Sequence, residues 1–250
     1  MPIKPTTPYR SAMRVAVSLP LLLAASVAWA EPVEIVGFGD SLMAGYELGP
    51  DEGFPEVLER ELTALGYEVD VLDAGVSGDT TSGGLSRLEW SVPETADIVI
   101  LELGGNDALR GIDPAITRRN IDAMLDALRV RDQRVVLAGM LAPPNLGTEY
   151  EAAFNAIYPE LAESRDVPLY PFFLDGAMQE GLMLGDRIHP TAEGVELMVE
   201  RFLPTLLPVL DEVTQANAAP GGLPPTDPVV PAAPAGMVPD TTAPEAPAVQ

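Results

Sequence analysis

The chain has 250 residues, with 38 acidic and 14 basic side chains and a formal net charge of −24. It contains no cysteine, one histidine (His189) and one lysine (Lys4). Such an acidic molecule repels nucleic acid and anionic membrane surfaces. The missing residue types exclude disulfides, thiol nucleophiles, thiolate or multi-histidine metal sites and, beyond Lys4, lysine-based catalysis.

The first thirty residues have the pattern of a secretory signal peptide. Lys4, Arg10 and Arg14 precede the apolar run "VAVSLPLLLAASV", and "AWA" ends the segment with small residues at the positions that signal peptidase reads. The alternative is a membrane anchor, but the run is shorter than the ~20 residues that span a bilayer. We therefore predict a signal peptide over residues 1–30, no stable membrane anchor, and export to the periplasm, with secretion as the alternative.

Composition divides the remainder into a folded domain and a tail. Residues 31–212 contain regular apolar patterns and fit one domain. Residues 213–250 are rich in proline and alanine and almost free of aromatic residues. Because such a segment cannot bury a core, it is predicted to be a disordered tail.

Within the domain, strand-like and helix-like patterns alternate in chain order. The predicted strands are 33–38, 67–75, 97–104, 134–140 and 168–172. The predicted helices are 54–65, 82–90, 116–129, 150–164 and 191–203, the last with a bend possible at Pro204 and Pro208. The run "DIVILELG" is apolar nearly throughout, as in a strand that is buried on both faces. This alternation predicts an α/β fold with a parallel sheet between helices.

Small and polar residues follow the predicted strands. Ser41 lies in "GDS", Gly75 in "DAGVSGDT" and Asn106 in "GGND", while Asp186 and His189 share "GDRIHP". Because ligands of parallel α/β sheets bind at the carboxyl ends of the strands, one cleft can collect all five.

These residue types suit nucleophilic catalysis. A serine hydroxyl needs a base, and His189 is the only imidazole in the chain. Asp186, three residues earlier, can reach that imidazole and fix its tautomer. The N–H groups of Ser41 and Gly75 and the amide of Asn106 can donate to a developing oxyanion. Taken singly, each residue has an ordinary explanation as a helix cap, a turn or a loop residue, so the prediction depends on their order and shared position.

The four ordered blocks resemble the SGNH (GDSL) hydrolase family over about residues 33–210, and no G-x-S-x-G elbow is present. The resemblance is strongest to its proteobacterial arylesterases, acyl-CoA thioesterases and lysophospholipases. It implies a three-layer α/β/α flavodoxin-like fold with a five-stranded parallel sheet. It also implies a Ser41–His189–Asp186 triad, an oxyanion hole of Ser41, Gly75 and Asn106, and no cofactor or metal.

The implied activity is hydrolysis of small aryl or acyl esters, and of thioesters. The alternative is lysophospholipase or carbohydrate O-deacetylase activity with the same catalytic residues. A hypothesis from a different functional class is a non-catalytic ligand-binding module. The acidic charge of the chain favours neutral esters over acyl-CoA. One departure from the family is Arg187, which stands where the last block usually has glycine. Its side chain is expected to point into solvent.

Overall fold

The computed structural model describes residues 31–218. The predicted signal peptide lies outside the described residues, as does the predicted tail from residue 219 onward. Within the described range, no helix combines the length and hydropathy needed to cross a membrane.

A single parallel sheet forms the centre of the domain. Its strands are β1 (Val33–Gly39), β2 (Val69–Gly75), β3 (Ile98–Glu102), β4 (Arg134–Ala138) and β5 (Leu169–Tyr170). Their order is β2-β1-β3-β4-β5, and every neighbouring pair is parallel. All residues of β3 are buried, which agrees with its apolar sequence. The predicted α/β fold with five parallel strands is confirmed.

Within residues 31–218, eight α-helices flank the sheet. They are α1 (Phe54–Ala64), α2 (Thr81–Ser91), α3 (Gly105–Leu109), α4 (Pro114–Val130), α5 (Thr148–Asn155), α6 (Ile157–Arg165), α7 (Ala177–Glu180) and α8 (Ala192–Ala218). Helix α1 packs on α8, while α4 packs on both α2 and α6. The chain leaves β1 toward β2 and then turns back to β3, so right-handed crossovers place α1 and α2 on opposite faces. The reversal lies at the carboxyl end of β1, where open α/β sheets form their clefts.

The described helices differ from the predicted ones in two places. The predicted helix 150–164 is two helices, α5 and α6, which meet at Ala156. Helix α8 does not stop near residue 203 but continues through Pro204 and Pro208 to Ala218. Its apolar stripe continues beyond both prolines and ends with the buried Val213, and this burial outweighs the lost backbone hydrogen bonds. The prediction that the folded domain ends at 212 is therefore wrong, because residues 213–218 are helical.

Candidate active site

Ser41 lies in a tight turn directly after β1. The Ala44 N–H donates to the Asp40 carbonyl at 3.1 Å, and the Leu42 N–H donates to Asp40 Oδ1 at 3.1 Å. These bonds hold the backbone on both sides of Ser41, which is largely buried. The Ser41 N–H itself has no hydrogen-bond partner among residues 31–218.

The structure brings the three predicted triad residues into one hydrogen-bonded row. Ser41 Oγ lies 2.8 Å from His189 Nε2, and His189 Nδ1 lies 2.6 Å from Asp186 Oδ2. The other carboxylate oxygen, Asp186 Oδ1, accepts the N–H groups of Ile188 at 2.9 Å and His189 at 3.1 Å. This turn fixes the imidazole so that Nδ1 donates to Asp186 and Nε2 is left to accept the serine proton.

The hydrogen bond from His189 is the main reason that the pKa of Asp186 falls to about 2, and the N–H of Ile188 adds to the effect. A carboxyl group with so low a pKa is ionised throughout the neutral range. Asp186 can therefore stabilise a positive charge on the imidazole whenever His189 takes up a proton.

Tyr46 contacts the same histidine, and the sequence analysis did not identify it. Its ring packs on the His189 imidazole with centroids 4.3 Å apart and an interplanar angle of 33°. Tyr46 ends the block "GDSLMAGY", so its position in that block was the available signal. The contact restricts the imidazole from a direction that the hydrogen bonds do not cover.

Asn106 faces the cleft from α3, as the prediction required. Its Nδ2 donates to Asp40 Oδ2 at 2.9 Å. A primary amide has two N–H groups, so one remains for a ligand in the cleft. Next to it, the buried Asp107 accepts from the backbone N–H of Thr81 at 2.8 Å and from the Thr117 hydroxyl at 3.0 Å, which anchors α3 to α2 and α4.

The structure contradicts the prediction for Gly75. The N–H of Gly75 donates to Asp73 Oδ1 at 2.7 Å, and the residue does not line the cleft. A Cβ at Gly75 would lie 2.9 Å from the Asp40 carbonyl oxygen and would collide with the Ala44 nitrogen. Gly75 is still part of β2, where it pairs with Gly39, and its role is the close approach of two backbones.

Gly78 is the glycine that lines the cleft after β2. Its φ of 80° lies in the left-handed region that favours glycine. Its carbonyl accepts a hydrogen bond from Arg110 Nη2 at 2.7 Å, whereas its N–H has no partner in the described part of the chain. Sequence reasoning missed it because "DAGVSGDT" offers two glycines and the strand end was chosen.

A buried arginine connects the loops that carry Ser41 and Gly78. Arg87 donates to the carbonyls of Gly39 and Ala74, each at 2.8 Å, and to Asp79 Oδ2 at 2.7 Å. Its guanidinium also stacks over the Phe38 ring, 4.1 Å from the centroid. It therefore ties the ends of β1 and β2 to the residue that follows Gly78, an arrangement that the sequence did not reveal.

A pair of buried carboxyl groups lies behind Ser41. Glu102 Oε2 accepts the Asp40 N–H at 3.1 Å, and Glu102 is fully buried. Burial raises the pKa of both groups, and that of Glu102 rises well above its usual range because the Asp40 charge adds to the effect. Of the two groups, Asp40 is the one that holds both the Leu42 N–H and the Asn106 amide.

The cleft over these residues is open and has a volume of about 910 Å³. Its walls are mainly apolar, from Leu109, Met140, Leu141, Ala142, Pro143, Pro144, Phe172, Leu174, Met178 and Ile188. Such a lining accommodates an acyl chain or an aryl ring. Arg187 is exposed, as expected, but it also lines this cleft.

Comparison with known proteins finds a matching family and similar esterases. The GDSL-like lipase/acylhydrolase family matches residues 38–197. Esterase TesA of Pseudomonas aeruginosa is 38% identical over 194 residues, which cover 77% of this chain and 96% of the relative. Arylesterase of Vibrio mimicus is 36% identical over 185 residues, with 73% and 92% covered. The crystal structure of AlinE4, an SGNH-hydrolase family esterase, is similar with a TM-score of 0.61 and 42% identity, over 74% of this chain and 98% of that one.

Proposed function

The chain belongs to the GDSL-like lipase/acylhydrolase family and is an esterase-type serine hydrolase, and on that basis we propose that Ser41, His189 and Asp186 carry out the hydrolysis. The observation that supports this most is the continuous row from Ser41 Oγ to His189 at 2.8 Å and on to Asp186 at 2.6 Å. A serine hydroxyl in this arrangement can lose its proton as it attacks.

The reaction has two halves. Ser41 Oγ attacks the carbonyl carbon of the ester while His189 Nε2 takes the hydroxyl proton. The bond to the leaving oxygen, or sulfur in a thioester, then breaks, and His189 returns the proton to the leaving group. A water molecule attacks the acyl-serine with His189 again as base, which releases the carboxylic acid and restores Ser41.

Three donors surround the position where the oxyanion develops. We assign them as the N–H groups of Ser41 and Gly78 and the second N–H of Asn106. The first two have no other hydrogen-bond partner within residues 31–218, and the third belongs to an amide already held by Asp40. Donors fixed before the reaction stabilise the tetrahedral intermediate without reorganisation.

The apolar walls favour aryl and acyl esters, with thioesters as further substrates. A sugar hydroxyl placed against Met140, Leu141 or Phe172 would lose its hydrogen bonds with water, so this lining disfavours carbohydrate O-deacetylation. Export to the periplasm remains part of the proposal and rests on the sequence of residues 1–30. Amino-terminal sequencing of protein from the periplasmic fraction should begin at Glu31.

The test is the activity of the purified mature protein, with a variant pair that differs only in which serine is removed. We expect hydrolysis of para-nitrophenyl butyrate and covalent labelling by a fluorophosphonate, both lost in Ser41→Ala. Ser77 lines the same cleft, so Ser77→Ala is the matched control and should retain both. Labelling and turnover that survive in a folded Ser41→Ala variant would contradict the assignment.

A further inference from the structure

Arg187 occupies an unusual place beside the reacting residues. It lies in the turn between Asp186 and His189 and lines the cleft next to Ile188. Its φ is 61°, a left-handed conformation that glycine adopts freely and other residues adopt with strain. A large charged residue thus stands where the backbone favours glycine.

The guanidinium of Arg187 has no protein partner among the described residues. It takes part in no ion pair and donates no hydrogen bond there, whereas Arg110, near the same cleft, donates to the Gly78 carbonyl. The nearest carboxylate in sequence, Asp186, already accepts from His189 Nδ1 and from two backbone N–H groups. These groups account for the low pKa of Asp186, so Arg187 does not serve the triad carboxylate.

We propose that Arg187 binds an anionic group of the ester substrate and so directs this hydrolase toward esters that carry a carboxylate, sulfonate or phosphate. The inference rests on the proposed function. A guanidinium presents a planar set of N–H donors that matches such groups and can bind them through two parallel hydrogen bonds. The apolar walls hold the uncharged part of the same substrate.

Local and long-range electrostatics act in opposite directions here. The formal charge of −24 repels an anionic substrate at a distance, while Arg187 attracts it within the cleft. Salt weakens both effects. If Arg187 binds the anion, kcat/KM for an anionic ester falls as salt is added; if only the total charge acts, kcat/KM rises.

The experiment uses two matched substrate pairs and three variants of the exported chain. One pair is mono-para-nitrophenyl adipate and its methyl ester, which places the charge on the acyl side. The other is para-sulfophenyl butyrate and phenyl butyrate, which places it on the leaving group. The variants are Arg187→Gln, Arg187→Lys and, as control, Arg119→Gln. Arg119 is exposed on α4 away from the cleft, so its replacement changes the total charge equally.

We expect Arg187→Gln to lower the anionic-to-neutral ratio of kcat/KM by about 1.5- to fivefold for at least one pair, the range of an exposed ion pair. Arg187→Lys should restore part of the ratio, and Arg119→Gln should leave it unchanged. The pair that responds identifies the side of the ester that Arg187 contacts. The salt dependence for that anionic ester should change from falling to rising in Arg187→Gln.

Equal effects of Arg187→Gln on charged and neutral esters would overturn the inference, as would the same loss in Arg119→Gln. Either result leaves Ser41-dependent ester hydrolysis by the wild-type protein in place and so does not affect the proposed function. Failure of the proposed function is a separate outcome, since it would appear as absent or Ser41-independent hydrolysis of every ester tested.

Discussion

Replacement of Asp40 by asparagine should weaken the proposed oxyanion hole and leave the proposed triad in place. Asp40 Oδ1 accepts the Leu42 N–H and Oδ2 accepts Asn106 Nδ2. The introduced amide has only one oxygen. If that oxygen stays with Leu42, an NH₂ group faces the NH₂ group of Asn106, and the two donors cannot bond. Asn106 then loses the contact that orients its second N–H toward the substrate.

The expected loss follows from the bond that is broken. A hydrogen bond to a charged group contributes ~1.5–3 kcal/mol, which corresponds to roughly 10- to 100-fold in rate. The upper limit is removal of the donor itself in Asn106→Ala, about 10²- to 10³-fold. Because the donor acts on the transition state, the loss should appear in kcat, with KM nearly constant.

The assay is steady-state hydrolysis of para-nitrophenyl butyrate by Asp40→Asn, Asn106→Ala and the double variant, with Tm measured for each. If Asp40 acts through Asn106, the double variant should be no slower than Asn106→Ala alone. Glu102→Gln is the matched control, because Glu102 belongs to the same buried pair but forms no hydrogen bond with Asn106.

Multiplying losses in the double variant would show that Asp40 acts independently of Asn106. A raised KM with unchanged kcat would instead make Asn106 a ground-state binding residue. Either result would refute the reasoning from the Asp40–Asn106 contact.

Three further predictions concern neighbouring features. Gly75→Ala should lower Tm strongly because its Cβ would collide with the Ala44 backbone. Gly78→Ala has only Arg110 nearby, at 3.7 Å, so its left-handed φ of 80° should lower Tm less, while strain at the donor N–H lowers kcat; a reversed pattern would restore Gly75 as the proposed oxyanion donor. Burial raises the pKa of Glu102 in the folded protein well above its ordinary value of 4.5, so the unfolded chain releases this proton at lower pH. The free energy of unfolding of the wild type should therefore fall relative to that of Glu102→Gln as pH rises from 4 to 7. A constant difference between the two in urea unfolding would contradict the raised pKa. Truncation after Ala218 should leave Tm unchanged. Truncation after residue 212 should lower the free energy of unfolding by about 1.5–3 kcal/mol, because the buried Val213 is lost. Equal Tm values for the two truncated proteins would mean that Val213 contributes nothing.

The sequence by itself was sufficient for the fold and for the three residues that the structure joins in one hydrogen-bonded row. Buried strands such as β3 can be recognised by their apolar runs, because a sheet that is covered on both faces excludes polar side chains. The sequence also predicted that Ser41, Asp186 and His189 lie together. The carboxyl ends of parallel strands meet at one edge of the sheet, and the chain has a single imidazole. These are local patterns joined by a general rule of topology.

Tertiary structure decided what depends on contacts between distant segments. The choice between Gly75 and Gly78 depends on where β2 stops pairing with β1. The residues around the two glycines do not indicate that position. The roles of Arg87 and Glu102 depend on backbone groups more than forty residues away. Helix α8 passes two prolines because its apolar stripe remains covered as far as Val213. Local sequence sets the conformations that a segment can adopt, but burial and hydrogen-bond partners from elsewhere in the chain select among them.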